Sequence, residues 1–253
     1  MTGDFLALLE KNSFPSLSVN SGNPLPLEAT TVFAFHCADG VIIGGDHRAT
    51  AGHIVFSDRT EKILELDSHS LMAIAGVPAM AFEMARTLQT AFEFYRRSQL
   101  QSMSLQAKIR ALSRLLRENL PATLQGVGAV SPIFAGAESG VARPVIYFYD
   151  PLGAHFEATA FAGSGSGSGT IKSVLHYLEN WGQPKPSELP LAQATVLANR
   201  LLITAAEFDT ATGGVHPEQL EFATIKLLSA EGIRTVSKTE QQEYWKEAEN
   251  ALR

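Results

Sequence analysis

Only one cysteine, Cys37, occurs in the 253 residues. A single thiol cannot close an internal disulfide and provides no set of thiolates for zinc, which fits a reducing compartment. No lysine or arginine run is present and the formal net charge is −6. The basic face that a phosphate backbone requires is therefore missing, and nucleic acid is not expected as a partner. No segment approaches the ~20 apolar residues of a membrane span. Phe5 to Leu9 is the only apolar run near the start; no cationic segment precedes it and Glu10 and Lys11 follow. That pattern argues against a secretory signal and for a cytoplasmic protein. His-Glu-x-x-His and a lysine-bearing phosphate loop are both absent. The run Gly163 to Gly169 carries glycine only at odd positions, so it matches neither G-x-S-x-G nor G-x-G-x-x-G. His47, His53 and His216 lack metal-type spacing, and neither a metal nor a cofactor is expected.

With 45% apolar and 18% charged residues, the chain can bury a sizeable core without cross-links. Residues 12 to 29 are rich in Asn, Ser, Pro and Gly and show no periodicity, so 1–29 reads as a flexible leader and 30–253 as one domain. From Thr30 the texture changes. Thr31 to Cys37 and Val41 to Gly45 are β-rich runs joined by Asp39-Gly40, a dipeptide favoured in tight hairpins. Further strands are expected at 62–66 and 71–75, then helices at 78–98 and 104–120, the second capped by Ser104 and stopped by Pro121. A second β block follows at 129–135, 144–149 and 154–161. Helices at about 168–181 and 188–208, strands at 222–228 and 232–236, and a surface helix from Thr239 to Leu252 complete the reading. Blocks of strands separated by helix pairs predict an α+β fold. Two antiparallel sheets would pack face to face, each covered outside by helices, in a four-layer αββα sandwich.

The chemistry-bearing segments come in a specific order. They are Ala29-Thr30-Thr31-Val32, Gly44-Gly45-Asp46-His47-Arg48-Ala49-Thr50-Ala51-Gly52, Glu61-Lys62-Ile63, Ile74-Ala75-Gly76, Gly163 to Gly169, and Phe208-Asp209-Thr210-Ala211-Thr212-Gly213-Gly214. This series resembles the proteasome β-subunit family of N-terminal-nucleophile hydrolases, most closely its actinobacterial branch, across roughly residues 30 to 237. Asp46, Lys62 and Gly76 lie 16, 32 and 46 residues beyond Thr30, in register with that family.

The resemblance implies a threonine endopeptidase in a self-compartmentalised particle. Thr30 would be the nucleophile, freed by cleavage at the Ala29–Thr30 processing site. Asp46 and Lys62 would support it, and the Gly76 N–H would be the oxyanion donor. Ser166, Asp209 and Thr212 would hydrogen-bond around the new N-terminus, with Ser164 and Ser168 as alternatives for the serine. By the same correspondence Ala49, Thr50, Thr60, Ile74 and Pro78 line a substrate pocket without charge, suited to an apolar residue before the cut bond. The family usually has glycine before the nucleophile; Ala29 in that place predicts slow processing, because alanine resists the strained turn that self-cleavage needs. Implied partners are further copies of the chain in rings, heptameric double rings being favoured, with polypeptide substrates and an ATP-dependent unfoldase.

Elementary chemistry supports the same assignment. A threonine hydroxyl needs a base, and a threonine at a free N-terminus carries one in its own α-amine. With a pKa of ~7.7–8.0, roughly a third of that amine is neutral near pH 7.5, against about 0.1% of a lysine. The amine is then the base, and Lys62 a fixed charge favouring the alkoxide. Two other readings compete. One is an N-terminal-nucleophile amidohydrolase cutting a small amide; the other is a non-catalytic chamber subunit, which the joint presence of Thr30, Asp46, Lys62 and Asp209 opposes.

Overall fold

A computed structural model describes residues 30–51, 54–138 and 143–251. The leader, the Ala29 side of the processing site, His53 and the last residues of the expected C-terminal helix fall outside these. Strand alternation in the first hairpin fixes the layers. In β1 (Thr31–Cys37), Val32 and Ala34 face one side while Phe33, Phe35 and Cys37 face the other. β2 (Gly40–Gly45) repeats this, with Val41 and Ile43 on the first side and Ile42 on the second. Both faces are apolar, so the sheet must be covered twice. One face meets a second sheet and the other meets helices.

The first sheet has the order β10-β1-β2-β11-β12 and the second β5-β6-β7-β8-β9, every pairing being antiparallel. β5 (Ile63–Asp67), β6 (Ser70–Ala73), β7 (Ile133–Gly136), β8 (Val145–Tyr149) and β9 (His155–Ala158) form the second; β10 (Phe161–Gly165), β11 (Thr224–Ser229) and β12 (Gly232–Thr235) complete the first. Val32, Ile43, Ile63, Leu71, Ile133, Ile146 and Leu228 fill the space between the sheets. Helices α1 (Pro78–Gln99) and α2 (Leu105–Glu118) cover the second sheet through Leu88, Phe92, Ile109 and Leu112. The first sheet is covered by α4 (Ser168–Trp181) and α5 (Leu191–Phe208) through Ile171, Leu175, Ala198 and Leu202. Three apolar cores between four layers make the αββα sandwich that the order of elements predicts.

Several local expectations shift. The first hairpin turns at Ala38 and Asp39, one residue earlier than Asp39-Gly40, with Cys37 paired to Gly40. Gly40 takes the positive φ of +146° at the start of β2. Asp39 is held because its carboxylate accepts the Leu191 N–H at 2.7 Å, capping α5. Pro121 does not merely stop α2: it lies in the first turn of a short α3 (Leu120–Leu124), where its missing N–H costs nothing. The expected strand at 129–135 is broken at Pro132, which cannot donate to a ladder, so β7 starts at Ile133 and Val130 makes only an isolated bridge. The single strand expected at 154–161 is two, β9 and β10, which belong to different sheets. A short ribbon of β3 (Ala49–Ala51) and β4 (Ile54–Ser57) has no counterpart in the sequence reading.

The C-terminal helix α6 (Lys238–Asn250) is more than a surface element. Ser237 and Glu240 form its capping box, and Tyr244 and Trp245 pack on the core of the first sheet. Beneath it lies a buried amide pair. Asn199 donates to Gln241 Oε1 at 2.9 Å and to the Thr195 carbonyl at 3.1 Å, while Gln241 donates to the Ala223 and Val236 carbonyls, both at 3.1 Å. Gln241→Ala strands these groups without water, at a cost of about 2–3 kcal/mol. The melting temperature of that variant is expected to fall by roughly 5–10 °C, whereas the exposed Glu243→Gln should leave it nearly unchanged. Equal melting temperatures for the two would show that α6 is not docked through this pair.

Candidate active site

Asp46 follows the end of β2, and its backbone N–H donates to the Thr31 carbonyl at 3.2 Å. Its carboxylate is completely enclosed. Oδ1 accepts the Thr31 N–H at 2.9 Å and the Lys62 ammonium at 2.7 Å; Oδ2 accepts the N–H groups of Arg48 at 2.9 Å and Gly213 at 2.8 Å. Four donors on two oxygens satisfy the carboxylate out of water. Lys62, immediately before β5, is just as buried and also donates to the Arg48 carbonyl. Burial draws Lys62 below the usual lysine range, and the charge and hydrogen bond of Asp46 oppose that pull.

A second carboxylate approaches from the end of α5. Asp209 Oδ2 accepts the Ser166 hydroxyl at 2.6 Å and the Thr212 hydroxyl at 2.6 Å, and Oδ1 accepts the Ala211 N–H at 3.1 Å. Burial by itself would raise the Asp209 carboxyl; the donors on Ser166, Thr212 and Ala211, with the Lys62 charge, outweigh it and hold the group below the usual carboxylate range. Ser166 also donates its backbone N–H to the Thr30 carbonyl at 3.1 Å. The Thr30–Thr31 peptide plane is thus gripped on both sides, its C=O by Ser166 and its N–H by Asp46. Since the peptide is planar, those two contacts fix where the Thr30 Cα emerges.

Gly76, at φ +103°, bridges Val130 in antiparallel fashion, with Val77 donating to Ala129 and Ser131 to Ala75, both at 2.9 Å. In such a non-hydrogen-bonded pair, Gly76 turns its own N–H away from Val130, toward the β5 edge where Lys62 stands. A buried lysine and two carboxylates are therefore grouped around the start of β1. A buried, charge-paired lysine beside a firmly held peptide can stabilise negative charge that develops there.

A family model described as proteasome subunit matches residues 27–217, which span all of this arrangement. The chain belongs to the proteasome subunit family. It is 35% identical over 247 residues to proteasome subunit beta 2 of Thermomonospora curvata, which covers 94% of this chain and 85% of that relative. A proteasome subunit beta of Acidimicrobium ferrooxidans is 31% identical over 253 residues, covering 99% and 90% of the two chains. Another, from Stackebrandtia nassauensis, is 34% identical over 215 residues, covering 83% and 75%. These relatives bear out the likeness to actinobacterial β-subunits drawn from the motifs.

Of the residues expected at the site, Thr30, Asp46, Lys62, Ser166, Asp209 and Thr212 converge as described. Ser166 is the serine on Asp209; Ser164 instead donates to the Ser131 carbonyl at 2.6 Å, and Ser168 is the first residue of α4. The expected pocket residues stand on several elements. Ala49 and Thr50 stand in β3, the Thr60 N–H donates to the His47 carbonyl at 3.0 Å, and Pro78 opens α1. Ile74 is absorbed into the core under α1. Thr31, Arg48 and Gly167 fall inside the chemistry-bearing segments, but the sequence by itself assigns them no role at the site. The alternation of β1 carried a signal for Thr31, since a threonine on the apolar face of Phe33 and Phe35 must find a buried partner.

β1 meets β10 with Thr31 opposite Gly165, which has φ +93°. A Cβ on Gly165 would stand 1.7 Å from the Thr30 carbonyl oxygen, so any side chain must push Thr30 off its anchor. Gly169, the last residue of the same glycine-serine run, has nothing within 4 Å of its Cβ position. Gly165→Ala is expected to destabilise the protein by about 1–3 kcal/mol. Gly169→Ala, in the first turn of α4, should be neutral or stabilising by up to about 1 kcal/mol. Thermal melting of the two variants reads this difference, and comparable stability would contradict the clamped start of β1.

Proposed function

We propose that the chain is a threonine endopeptidase subunit of a proteasome-like particle, with Thr30 as nucleophile after removal of residues 1–29. The observation that carries the reading is the grip on the Thr30–Thr31 peptide by Asp46 and Ser166, with Lys62 on the same Asp46 oxygen. A threonine held so firmly beside a buried cation, with a mobile proton acceptor on its own α-nitrogen once that nitrogen is free, is equipped to attack a carbonyl. The Thr30 hydroxyl gives its proton to the α-amine as Oγ bonds to the scissile carbonyl carbon. The oxyanion is met by the Gly76 N–H, and Lys62 stabilises the charge as it moves. The same proton then passes to the leaving nitrogen, whose bond to carbon breaks and leaves an ester on Thr30. Water, deprotonated by the α-amine, hydrolyses that ester and restores the hydroxyl.

While the Ala29–Thr30 bond is intact, the nitrogen is an amide whose lone pair is delocalised, so the precursor lacks that base and is silent toward peptides. Leader removal instead uses a water to take the Thr30 hydroxyl proton as Oγ bonds to the Ala29 carbonyl carbon; the C–N bond breaks as the nitrogen takes up a proton, and water hydrolyses the resulting ester. Enclosure in rings, heptameric double rings by the motif pattern, would confine the activity to polypeptides threaded inside. An ATP-dependent unfoldase fits as the partner that delivers them, and the cytoplasm as the location. Among the described residues no helix is long and apolar enough to cross a membrane.

Wild type is expected to elute far above its 27.3 kDa chain mass, to begin at Thr30 by intact-mass measurement, and to cleave peptides after an apolar residue. Thr30→Ala should assemble, retain residues 1–29 and show no turnover. A slow rise of the mature mass with matching activity would fit Ala29 before the nucleophile. An active Thr30→Ala protein, or full wild-type activity with the leader attached, would refute the mechanism.

A further inference from the structure

We infer that Thr31 is a positioning residue for Thr30, acting through a hydrogen-bonded chain of fixed polarity that runs from Gly167 through Thr31 and Thr212 to Asp209. This rests on the proposed role of Thr30. The Thr31 hydroxyl is fully buried, accepts the Gly167 N–H at 3.0 Å, and lies 2.6 Å from the Thr212 hydroxyl. Thr212 in turn is 2.6 Å from Asp209 Oδ2, which also takes the Ser166 hydroxyl.

The direction of every proton in this chain follows from its ends. Asp209 is held ionised and can only accept, so Thr212 and Ser166 must both donate to it. Thr212 has one hydroxyl proton and has spent it on Asp209; toward Thr31 it can only accept. Thr31 must therefore donate to Thr212, and its remaining acceptor capacity meets the Gly167 N–H, which can only donate. A backbone amide at one end and a carboxylate at the other leave a single consistent arrangement, each hydroxyl accepting once and donating once. Such chains polarise along their length and resist reorientation.

The geometry excludes a looser version. A Cβ on Gly167 would sit 2.4 Å from the Thr212 hydroxyl oxygen and 2.8 Å from that of Thr31, so the two hydroxyls fill the space a side chain there would need. The consequence for the site is a third anchor. Asp46 and Ser166 fix the peptide plane before Thr31, and the hydroxyl chain fixes the side chain after it. It also ties β1 to the turn after α5 that carries Asp209, so the nucleophile strand and its supporting carboxylate cannot shift independently. Thr212 completes the link with a hydroxyl whose orientation its methyl group restricts to few rotamers.

Thr31→Val keeps the shape and removes the donor and acceptor. In the assembled, mature protein, kcat for a fluorogenic peptide should fall about 10- to 100-fold, the scale of a sub-ångström to ångström misplacement, with KM within about twofold. Thr31→Ser, which keeps the hydroxyl, should recover kcat to within about threefold of wild type. Thr212→Val breaks the chain at the next link and supplies the same readout should Thr31→Val not assemble. The double valine variant should be little worse than the slower single variant, because both remove one unit. A kcat for Thr31→Val within twofold of wild type, a serine variant as slow as the valine one, or losses that multiply in the double variant would each overturn the inference. Turnover that survives Thr30→Ala would instead refute the nucleophile itself, which separates the two failures.

Discussion

Lys62 and Asp46 have been taken out of water together, and neither would be tolerable there without the other. Removing one partner from a pair of this kind typically costs about 3–5 kcal/mol, so the contact constrains everything packed against it. Asp46 spreads that constraint through its other acceptor positions, binding the backbone of Thr31 at the start of β1, Arg48 ahead of β3, and Gly213 in the turn after α5. Three separate parts of the chain therefore converge on one carboxylate. The cation that serves the proposed reaction is placed by the same bonds that place the strand following the proposed nucleophile.

The layered fold makes this placement rigid. β1 is an inner strand of its sheet, flanked by β2 and β10, and apolar on both faces. Its start cannot swing without unpacking the core between the sheets or the core under α4 and α5. The supporting groups come from the ends of elements: Asp46 after β2, Lys62 before β5, Ser166 between β10 and α4, Asp209 after α5. Turns at the margin of a close-packed sandwich can present polar groups that the interior could not hold. Asp209 shows how the margin tunes them, its donors outweighing the burial that would otherwise neutralise it. Those donors stabilise the folded state at neutral pH, and that contribution is lost as pH falls through the depressed folded-state value.

Much of this was legible in the sequence because it depends on short-range rules. The alternation of Val32 to Cys37, the Ser104 cap and the helical stripes of α1 and α2 are local patterns, and the 16- and 32-residue spacings of Asp46 and Lys62 from Thr30 place the charged pair. What escaped was non-local. The segment 154–161 reads as one strand because nothing in it reveals that the chain leaves one sheet at Ala158 and joins the other at Phe161. The β3–β4 ribbon is made of strands of three and four residues, too short for periodicity to register. The glycine-serine run offered three equivalent serines, and only the pairing of Gly165 with Thr31 sets the frame that brings Ser166 to Asp209. The role of Thr31 is hidden in the sequence for the same reason: its partner Thr212 is 181 residues away.

The central claim is that one hydroxyl, that of Thr30, forms the covalent bond to substrate. The most direct test is to treat the mature particle with a peptide β-lactone, whose strained ester acylates an activated hydroxyl, and to locate the adduct by peptide mapping and mass spectrometry. The account predicts one adduct per active subunit, on the N-terminal Thr30, forming in step with loss of peptidase activity. A stoichiometric adduct on any other residue, or inactivation with Thr30 unmodified, would contradict it.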